Sequence, residues 1–251
     1  RTRVLALTHA SNVTGAITPL TDILPAARAA GALVVLDTCQ SAAHLPLDFA
    51  ALSAAGVDAM VLSSHKMLGP TGVGALVATE ELLDAMPAVL TGGSMIEVVT
   101  MESSTYMPAP ARFEAGSQPL AQAAGWRASV GYLARLGMDR LHAGEQVLTR
   151  RVLDGLAAIE GVRLLGPADT TQRLGVVAFT IDGVHPHDVG QVLDAAGVAV
   201  RTGHHCAQPI HAHFGTASSS RVSFGPTSTS AEADRFLEAV ASVRSYFRRR
   251  A

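Results

Sequence analysis

Short apolar runs alternate with helix-like stretches over residues 3–78, and this alternation constrains the fold more than any other feature of the sequence. The apolar runs are RVLAL, ALVVLD, DAMVLSS and GVGALVA, and the stretches PLTDILPAARAAG and DFAALSAAG separate the first three of them. Strands joined by helices in this way are typical of a layered α/β domain with a mainly parallel sheet. Because ligands bind at the carboxyl ends of such strands, Asp37, Ser63 and Ser64 stand where a site is expected.

The second half of the chain predicts a smaller α/β domain. Residues 118–159 are mainly helical in pattern, and later strands are predicted in VRLLGP, GVVAFTI, GVAVRT and SRVSF, with PHDVGQVLDAAG as a helix between the second and third. Serines and threonines precede a final helix that has a glutamate in its first turn, which is a capping pattern. We therefore expect two domains, residues 1–125 and 126–251, with a boundary uncertainty of about ten residues.

Composition argues against several classes of partner. The 251 residues are 48% hydrophobic and 16% charged with a formal net charge of −2, so the chain is globular and its charge gives no reason to expect a nucleic-acid partner. No signal peptide is expected, and no apolar run reaches the about 18 residues that span a bilayer. Two cysteines cannot form a disulfide framework, and no zinc-ligand spacing is present. A cytoplasmic protein without a metal or a membrane partner is expected.

The stretch LSSHKMLGPTGVG, residues 62–74, places Lys66 after a strand and before a turn rich in glycine and proline. Most lysines in loops are simply solvated. Here, however, hydroxyls, an imidazole and glycines surround the amine, and this setting suits an anionic ligand that carries an electrophilic carbon.

The stretch VVLDTCQSAAH offers a partner for that lysine. Asp37 ends an apolar strand, and Gln40 follows it three residues later. Asp37 can equally well cap the next helix. A lysine together with a carboxylate is nevertheless the combination that pyridoxal phosphate enzymes need, because the lysine binds the cofactor covalently and the carboxylate keeps its ring nitrogen protonated.

One of the two cysteines occurs in a polar setting. The stretch VAVRTGHHCAQP, residues 198–209, places Cys206 directly after His204 and His205 and close to Arg201. An inert structural thiol prefers an apolar pocket, whereas a reactive cysteine is found beside imidazoles and guanidinium groups. Cys206 is therefore a candidate nucleophile, and an inert buried thiol is the alternative. We interpret Cys39 as structural, and six histidines as structural or surface residues: His44, His142, His185, His187, His211 and His213.

Taken together, these motifs resemble those of the pyridoxal-phosphate-dependent cysteine desulfurases of the class V aminotransferase superfamily, in particular the SUF-type (group II) desulfurase and selenocysteine lyase branch. The similarity runs along nearly the whole chain, through THASNVTG, LDTCQSAAH, SSHKMLGPTGVGAL, GGSMI, RFEAGS, RLGVVAF, RTGHHCAQP and SRVSF. It implies fold type I of the pyridoxal phosphate enzymes, with residues 1–125 in the large cofactor-binding domain and residues 126–251 in a small domain that carries the cysteine loop.

The resemblance also implies roles for the cofactor-binding residues. Lys66 would bind pyridoxal 5'-phosphate covalently and later move the substrate α-proton, while Asp37 would pair with the ring nitrogen. The remaining cofactor contacts would come from Gln40 at the phenolate, Asn12 near the phenolate and the substrate carboxylate, Ser63 and His65 at the phosphate, and Ser117 at the phosphate of a neighbouring subunit.

For the substrate, the resemblance implies that Arg221 clamps the carboxylate through a bidentate guanidinium and that Arg201 lies at the rim of the same pocket. Cys206 would take sulfur from L-cysteine as a persulfide and release L-alanine. A homodimer and a sulfur-acceptor protein of the SUF system, serving iron–sulfur cluster assembly, are the implied partners. Selenocysteine lyase, another class V aminotransferase or epimerase, and a non-catalytic interaction module stay open as alternatives.

The sequence departs from the family pattern at three points. AGSQP stands where the family usually has AGT-P, and Ser117 keeps the hydroxyl with one methyl fewer. Ser64 replaces a glycine that the family usually has between serine and histidine, and we expect it to crowd the loop slightly. The chain also starts at Arg1 inside a strand-like run, so a preceding N-terminal portion, with an imidazole that stacks on the cofactor ring, is expected to be missing.

Overall fold

The computed structural model describes residues 1–248, and the chain packs as two compact units. Unit 1 contains Arg1–Thr8 and Pro19–Leu136, and unit 2 contains His9–Thr18 and the chain from Gly137 onward. No helix in the described part of the chain combines the length and the apolar character needed to cross a membrane.

Unit 1 is built on a four-stranded sheet. In chain order its strands are β1 (Val4–Thr8), β2 (Leu33–Asp37), β3 (Ala59–Ser63) and β4 (Gly74–Ala78), which is also their order in the sheet. β1, β2 and β3 are parallel, and β4 runs antiparallel to β3 at the edge. The mainly parallel sheet predicted from the apolar runs is confirmed, with an antiparallel edge strand added.

Helices α1 (Leu20–Ala29) and α2 (Phe49–Ala55) connect the parallel strands. The core between α1 and the sheet consists of Leu24, Ala27, Val34, Leu36, Val57 and Met60. From α2, Phe49 and Leu52 are partly buried and pack against this core. The Asp48 side chain caps α2 by accepting from the backbone N–H groups of Ala50 and Ala51, and Gly56 ends the helix at a φ of 114°. Asp37 does not cap a helix of this kind, because its strand is followed by a short 3-10 turn at Ser41–Ala43.

The rest of unit 1 combines elements that the sequence patterns did not predict with one long predicted helix. Helix α3 covers Glu80–Ala85, and strands β5 (Ile96–Val99) and β6 (Ser104–Tyr106) form a separate two-stranded hairpin. A 3-10 turn at Ala111–Phe113 precedes the long helix α4 (Leu120–Leu136).

The division between the units differs from the boundary predicted near residue 125. Helix α4 runs unbroken through Gly125 and belongs to unit 1 along its whole length. At Gly125 an added Cβ would lie 3.1 Å from Pro70 Cγ, so the helix packs closely against the loop that follows β3. The units divide at Gly137, which has a φ of 82° and starts the next helix.

Unit 2 is a four-stranded antiparallel sheet covered by helices. Its strands lie in the order β7, β8, β10, β9, and its elements in chain order are α5 (Met138–Ala157), β7 (Val162–Leu165), β8 (Val176–Ile181), α6 (Pro186–Ala195), β9 (Arg201–Gly203), α7 (Gln208–His213), β10 (Ser219–Ser223) and α8 (Ser230–Arg248). The buried side chains of α5, β8, α6 and α8 form the core, in which Phe179 and Phe236 meet edge to face. At the start of α8, Thr229 and Glu232 form the predicted capping box.

The segment His9–Thr18 packs in unit 2 although it lies between β1 and α1 in the sequence. The backbone N–H of Ile17 donates to Gln172 O at 2.9 Å, and that of Leu174 donates to Gly15 O at 2.9 Å. Gly15 has a φ of 73°, and a Cβ there would lie 2.6 Å from Val176 O, so only glycine permits this approach. Asn12 is thereby carried into unit 2.

Candidate active site

Unit 1 gathers polar side chains at one edge of its sheet. β2 and β3 are adjacent and parallel, so Asp37 and Ser63, the last residues of these strands, lie at the same edge. Lys66 follows in a 3-10 turn over Ser64–Met67, where a loop was expected, and its side chain is exposed. Lys66 is the only lysine of the chain. The edge therefore presents one carboxylate and one amine.

The turn that carries Lys66 is tightly braced. The Ser64 hydroxyl donates to Pro70 O at 2.8 Å, and the backbone N–H of Gly69 donates to Ser64 O at 3.0 Å. A Cβ at position 69 would collide with Ser64 Oγ. Ser64 is fully buried, and its hydroxyl serves as the hydrogen-bond donor to the Pro70 carbonyl inside the loop.

Asp37 and Lys66 both act on the thiol of Cys39. The Asp37 carboxylate accepts from the Cys39 backbone N–H at 2.9 Å. Burial, followed by the hydrogen bond and the negative charge of Asp37, raises the pKa of Cys39 to about 11, while the Lys66 charge lowers it. Cys39 is consequently a protonated, weakly reactive thiol at neutral pH, as a structural residue should be.

A hydroxyl and an imidazole lie beside this pair. Ser63 Oγ and His65 Nδ1 are 3.0 Å apart, and His65 is exposed. Gln40 is half-buried directly before the 3-10 turn that follows β2, and Ser117 is exposed in the segment before α4. Hydroxyl, imidazole and amide groups can hydrogen-bond to an anionic heteroaromatic cofactor. The carboxylate can pair with its ring nitrogen, and the amine can bind it covalently.

Unit 2 presents the second candidate cluster, around Cys206. This residue is exposed in the loop between β9 and α7. His205 and Cys206 adopt left-handed backbone conformations, with φ values of 54° and 62°. Two successive non-glycine residues in this region store strain, which only fixed surroundings maintain. The Arg201 guanidinium donates from Nη2 to Cys206 Sγ at 3.2 Å.

Arg221 lies beside Arg201 in register across β10 and β9. Its Nη1 donates to Asn12 O at 2.8 Å, and Asn12 Nδ2 donates to His205 O at 2.5 Å. The Nε of Arg221 is buried and forms no hydrogen bond within the described chain. Burial and then the Arg201 charge lower the pKa of Arg221, whereas Cys206 raises it. Arg221 is thus a partly buried guanidinium with an unused donor, and such a group binds an anion favourably.

His205 is buried at 2% exposure, while its neighbour His204 is exposed. Burial, followed by the charges of Arg221 and Arg201, lowers the pKa of His205 to about 4. Its imidazole is therefore neutral at physiological pH. The Nε2 atoms of His205 and His211 both lie within hydrogen-bond distance of Ser219 Oγ, at 3.0 and 2.9 Å.

The predicted site residues thus fall into two groups. Unit 1 holds Asp37, Gln40, Ser63, His65, Lys66 and Ser117, and unit 2 holds Asn12, Arg201, Arg221 and Cys206. Sequence reasoning did not single out Ser219, and it treated His211 as a structural or surface residue; the structure places both in contact with His205. The spacing of His205, His211 and Ser219 gave no signal for this contact, because it depends on how β10 and α7 pack.

A mainly parallel sheet in unit 1 and an antiparallel sheet with a cysteine loop in unit 2 form the α/β fold of the fold type I pyridoxal-phosphate-dependent enzymes. The apo structure of a cysteine desulfurase from Thermococcus onnurineus NA1 matches this chain with a TM-score of 0.91 and 34% identity, over 97% of this chain and 60% of that one. The chain belongs to the class-V aminotransferase family, whose model matches residues 1–236.

Two relatives are also similar in sequence. A probable cysteine desulfurase 2 from Mycobacterium leprae is 49% identical over 249 residues, covering 99% of this chain and 59% of the relative. A probable cysteine desulfurase from Streptomyces coelicolor is 44% identical over 247 residues, covering 98% of this chain and 58% of the relative. The chain spans less than two thirds of the length of the proteins that it matches.

Proposed function

We propose that this chain provides the cofactor-binding lysine and the sulfur-accepting cysteine of a pyridoxal-phosphate-dependent cysteine desulfurase. The observation that carries the proposal is the state of Cys206: an exposed thiol in a strained left-handed turn, with the Arg201 guanidinium donating to its sulfur at 3.2 Å. An inert thiol has no need of such a setting. The likeness to named cysteine desulfurases and the class V family membership support the same conclusion.

The groups at the sheet edge of unit 1 fit pyridoxal phosphate. Lys66 would bind it covalently, Asp37 would pair with its ring nitrogen, and Gln40 would donate to its phenolate. Ser63 and His65 would contact the phosphate. In unit 2, Asn12 would approach the substrate carboxylate. When bound, this cofactor makes the α-carbon of an amino acid acidic by withdrawing electrons from it.

The chain's own residues would bind L-cysteine and take its sulfur. Arg221 would bind the substrate carboxylate, with its unpaired Nε as a donor, and Arg201 would lie at the rim of the pocket. The Cys206 thiolate would attack the substrate sulfur, so that an S–S bond forms and the substrate C–S bond breaks. The electrons of that bond return to the substrate carbon, which takes up a proton. The products are L-alanine and a persulfide on Cys206.

The exposure of Cys206 supports delivery of the persulfide to another protein. The partner proposed here is a sulfur-acceptor protein of the SUF type, which serves iron–sulfur cluster assembly. A homodimer is proposed for the active form, with Ser117 contacting the phosphate in a neighbouring subunit. The cytoplasm, where such assembly takes place, is the proposed compartment.

The experiment that tests the proposal uses the fact that Lys66 is the only lysine. Protein loaded with pyridoxal phosphate should absorb in the visible range, and borohydride reduction should fix the cofactor on the Lys66 peptide. The variant K66R is a matched control, because it keeps the charge but cannot bind the cofactor covalently. It should lose both the absorbance and the release of alanine from cysteine.

Three results would contradict the proposal. Visible absorbance that survives in K66R would remove Lys66 from the cofactor site. A protein that never gains visible absorbance would be a non-catalytic interaction module. Alanine release from selenocysteine but not from cysteine would assign the chain to the selenocysteine lyases.

A further inference from the structure

Three buried polar side chains lie in a row beneath the cysteine loop. Ser219 Oγ is 3.0 Å from His205 Nε2 and 2.9 Å from His211 Nε2, and His211 Nδ1 is 3.1 Å from Ala207 O. His205, His211 and Ser219 are 2%, 1% and 0% exposed. The row begins at the residue before Cys206 and ends at the carbonyl of the residue after it.

The direction of each hydrogen bond follows from counting donors and acceptors. A carbonyl oxygen only accepts, so His211 Nδ1 must carry the proton that is donated to Ala207 O. His205 Nδ1 is buried and forms no hydrogen bond within the described chain, so the neutral His205 ring carries its proton on Nε2 and donates it to Ser219 Oγ. Ser219 has one hydroxyl proton, which it donates to His211 Nε2.

This assignment leaves His205 Nδ1 without a proton. A buried N–H group at this atom would have no acceptor within the described chain, and this would cost free energy. The His205 ring is consequently held in a single tautomer from one side. On the other side, Asn12 Nδ2 holds the His205 backbone oxygen at 2.5 Å. The residue that precedes Cys206 is thus fixed at both its ring and its main chain.

We propose that Ser219 and His211 are positioning residues for Cys206, acting through His205 to hold the left-handed turn at His205–Cys206. The directed row from His205 to Ser219 to His211, here called the histidine relay, returns to the cysteine loop at Ala207. It keeps Cys206 Sγ within hydrogen-bond distance of Arg201 Nη2. This inference rests on the proposed function only for the chemical role of Cys206, since the geometry of the turn does not depend on that role.

The first test reads the tautomers directly. Long-range ¹H–¹⁵N correlation spectra of the histidine side chains separate protonated from unprotonated ring nitrogens. The histidine relay requires His205 to be protonated at Nε2 and His211 at Nδ1. A His205 ring protonated at Nδ1 would overturn the proposal.

The second test measures the rate at which iodoacetamide alkylates Cys206, followed by mass spectrometry of the Cys206 peptide. S219A interrupts the relay and should slow the reaction about three- to tenfold, the range that a hydrogen bond of ordinary strength allows. S220A is the matched control, because Ser220 is also buried in β10 but its hydroxyl donates to Pro186 O instead. It should react at the wild-type rate.

A pair of substitutions at His211 separates positioning from simple packing. H211Q keeps an acceptor where Nε2 accepts from Ser219, whereas H211N keeps only the donor to Ala207 O. H211Q should therefore react close to the wild-type rate, and H211N should react as slowly as S219A. Equal rates in S219A, S220A and the wild type, or equal rates in H211Q and H211N, would overturn the proposal.

Failure of this inference is distinguishable from failure of the proposed function. The tautomers and the alkylation rates require neither cofactor nor substrate. If both agree with the histidine relay while cofactor-loaded protein releases no alanine from cysteine, the relay stands and the desulfurase proposal fails. The opposite pattern leaves the desulfurase proposal standing and removes the relay.

Discussion

Arg201 Nη2 donates to Cys206 Sγ at 3.2 Å, so a permanent cation contacts the sulfur of an exposed cysteine. Arg201 is the first residue of β9, and Cys206 follows this strand in a left-handed turn. A guanidinium in this position stabilises the negative charge that the sulfur carries as a nucleophile. The reactivity of Cys206 should therefore depend on Arg201.

Replacement of Arg201 provides the first prediction. R201A should slow alkylation of Cys206 about three- to tenfold, a modest effect because the pair is exposed to solvent. R201K, which keeps the charge without the planar donor, should fall between R201A and the wild type. The measurement is the pseudo-first-order rate from peptide mass spectrometry, and an unchanged rate in R201A would show that the contact has no electrostatic consequence.

The second prediction concerns Cys39. Since Asp37 raises the pKa of Cys39 and Lys66 lowers it, D37N should speed alkylation of Cys39 and K66A should slow it. Both effects should be several-fold, as expected for a charge change beside a thiol. Cys206 serves as the internal reference thiol in the same sample. Effects of the same sign in the two variants would contradict the arrangement of charges around Cys39.

The third prediction is a loss of stability in mild acid. Burial and neighbouring cations lower the pKa of His205 to about 4, whereas an unfolded histidine has a pKa of about 6.5. At pH values between these two pKa values, His205 is protonated in the unfolded chain and unprotonated in the folded chain. The free energy of unfolding should therefore fall with decreasing pH in this window, by about 1.4 kcal/mol per pH unit from this residue.

Urea unfolding at several pH values between 7 and 4 measures that slope. His9, whose pKa burial also lowers, adds to the slope in the same direction, so the comparison needs a variant. H205Q should reduce the proton uptake on unfolding by about one proton. An identical slope in H205Q and the wild type would mean that His205 titrates normally in the folded protein.

The fourth prediction concerns assembly. If Ser117 contacts the phosphate in a neighbouring subunit, the active form is a dimer with sites at the shared interface. S117A should then weaken cofactor binding about tenfold, since a hydrogen bond to a charged group is lost. Sedimentation together with cofactor titration tests this, and a fully active, cofactor-loaded monomer would contradict it.

Much of the fold was predictable because local sequence patterns determine it. The apolar runs before Asp37 and Lys66 identified β2 and β3, and parallel pairing then placed both residues at one sheet edge. Arg201 and Cys206 are five residues apart in the sequence, so their proximity could be predicted from the sequence alone. The run GVAVRT was expected to be a strand, yet the strand is confined to Arg201–Gly203.

What the sequence did not predict depends on long-range packing. Asn12 reaches Arg221 across 209 positions because the segment around Gly15 pairs with residues 172–174. Nothing local to these residues signals that pairing. Ser219 and His211 appeared unremarkable for the same reason, since their contact with His205 exists only after β10 and α7 have packed.

Mass spectrometry of the Cys206 peptide, after one turnover of L-cysteine without an acceptor, tests the central claim most directly. We predict a gain of about 32 Da, one sulfur atom, on Cys206, together with one alanine per site and loss of the added mass on treatment with a thiol reductant. C206S should keep the visible absorbance of the bound cofactor but release little alanine and carry no added sulfur. Added sulfur on Cys39, or alanine release with no added sulfur on either cysteine, would contradict the assignment of Cys206 as the sulfur acceptor.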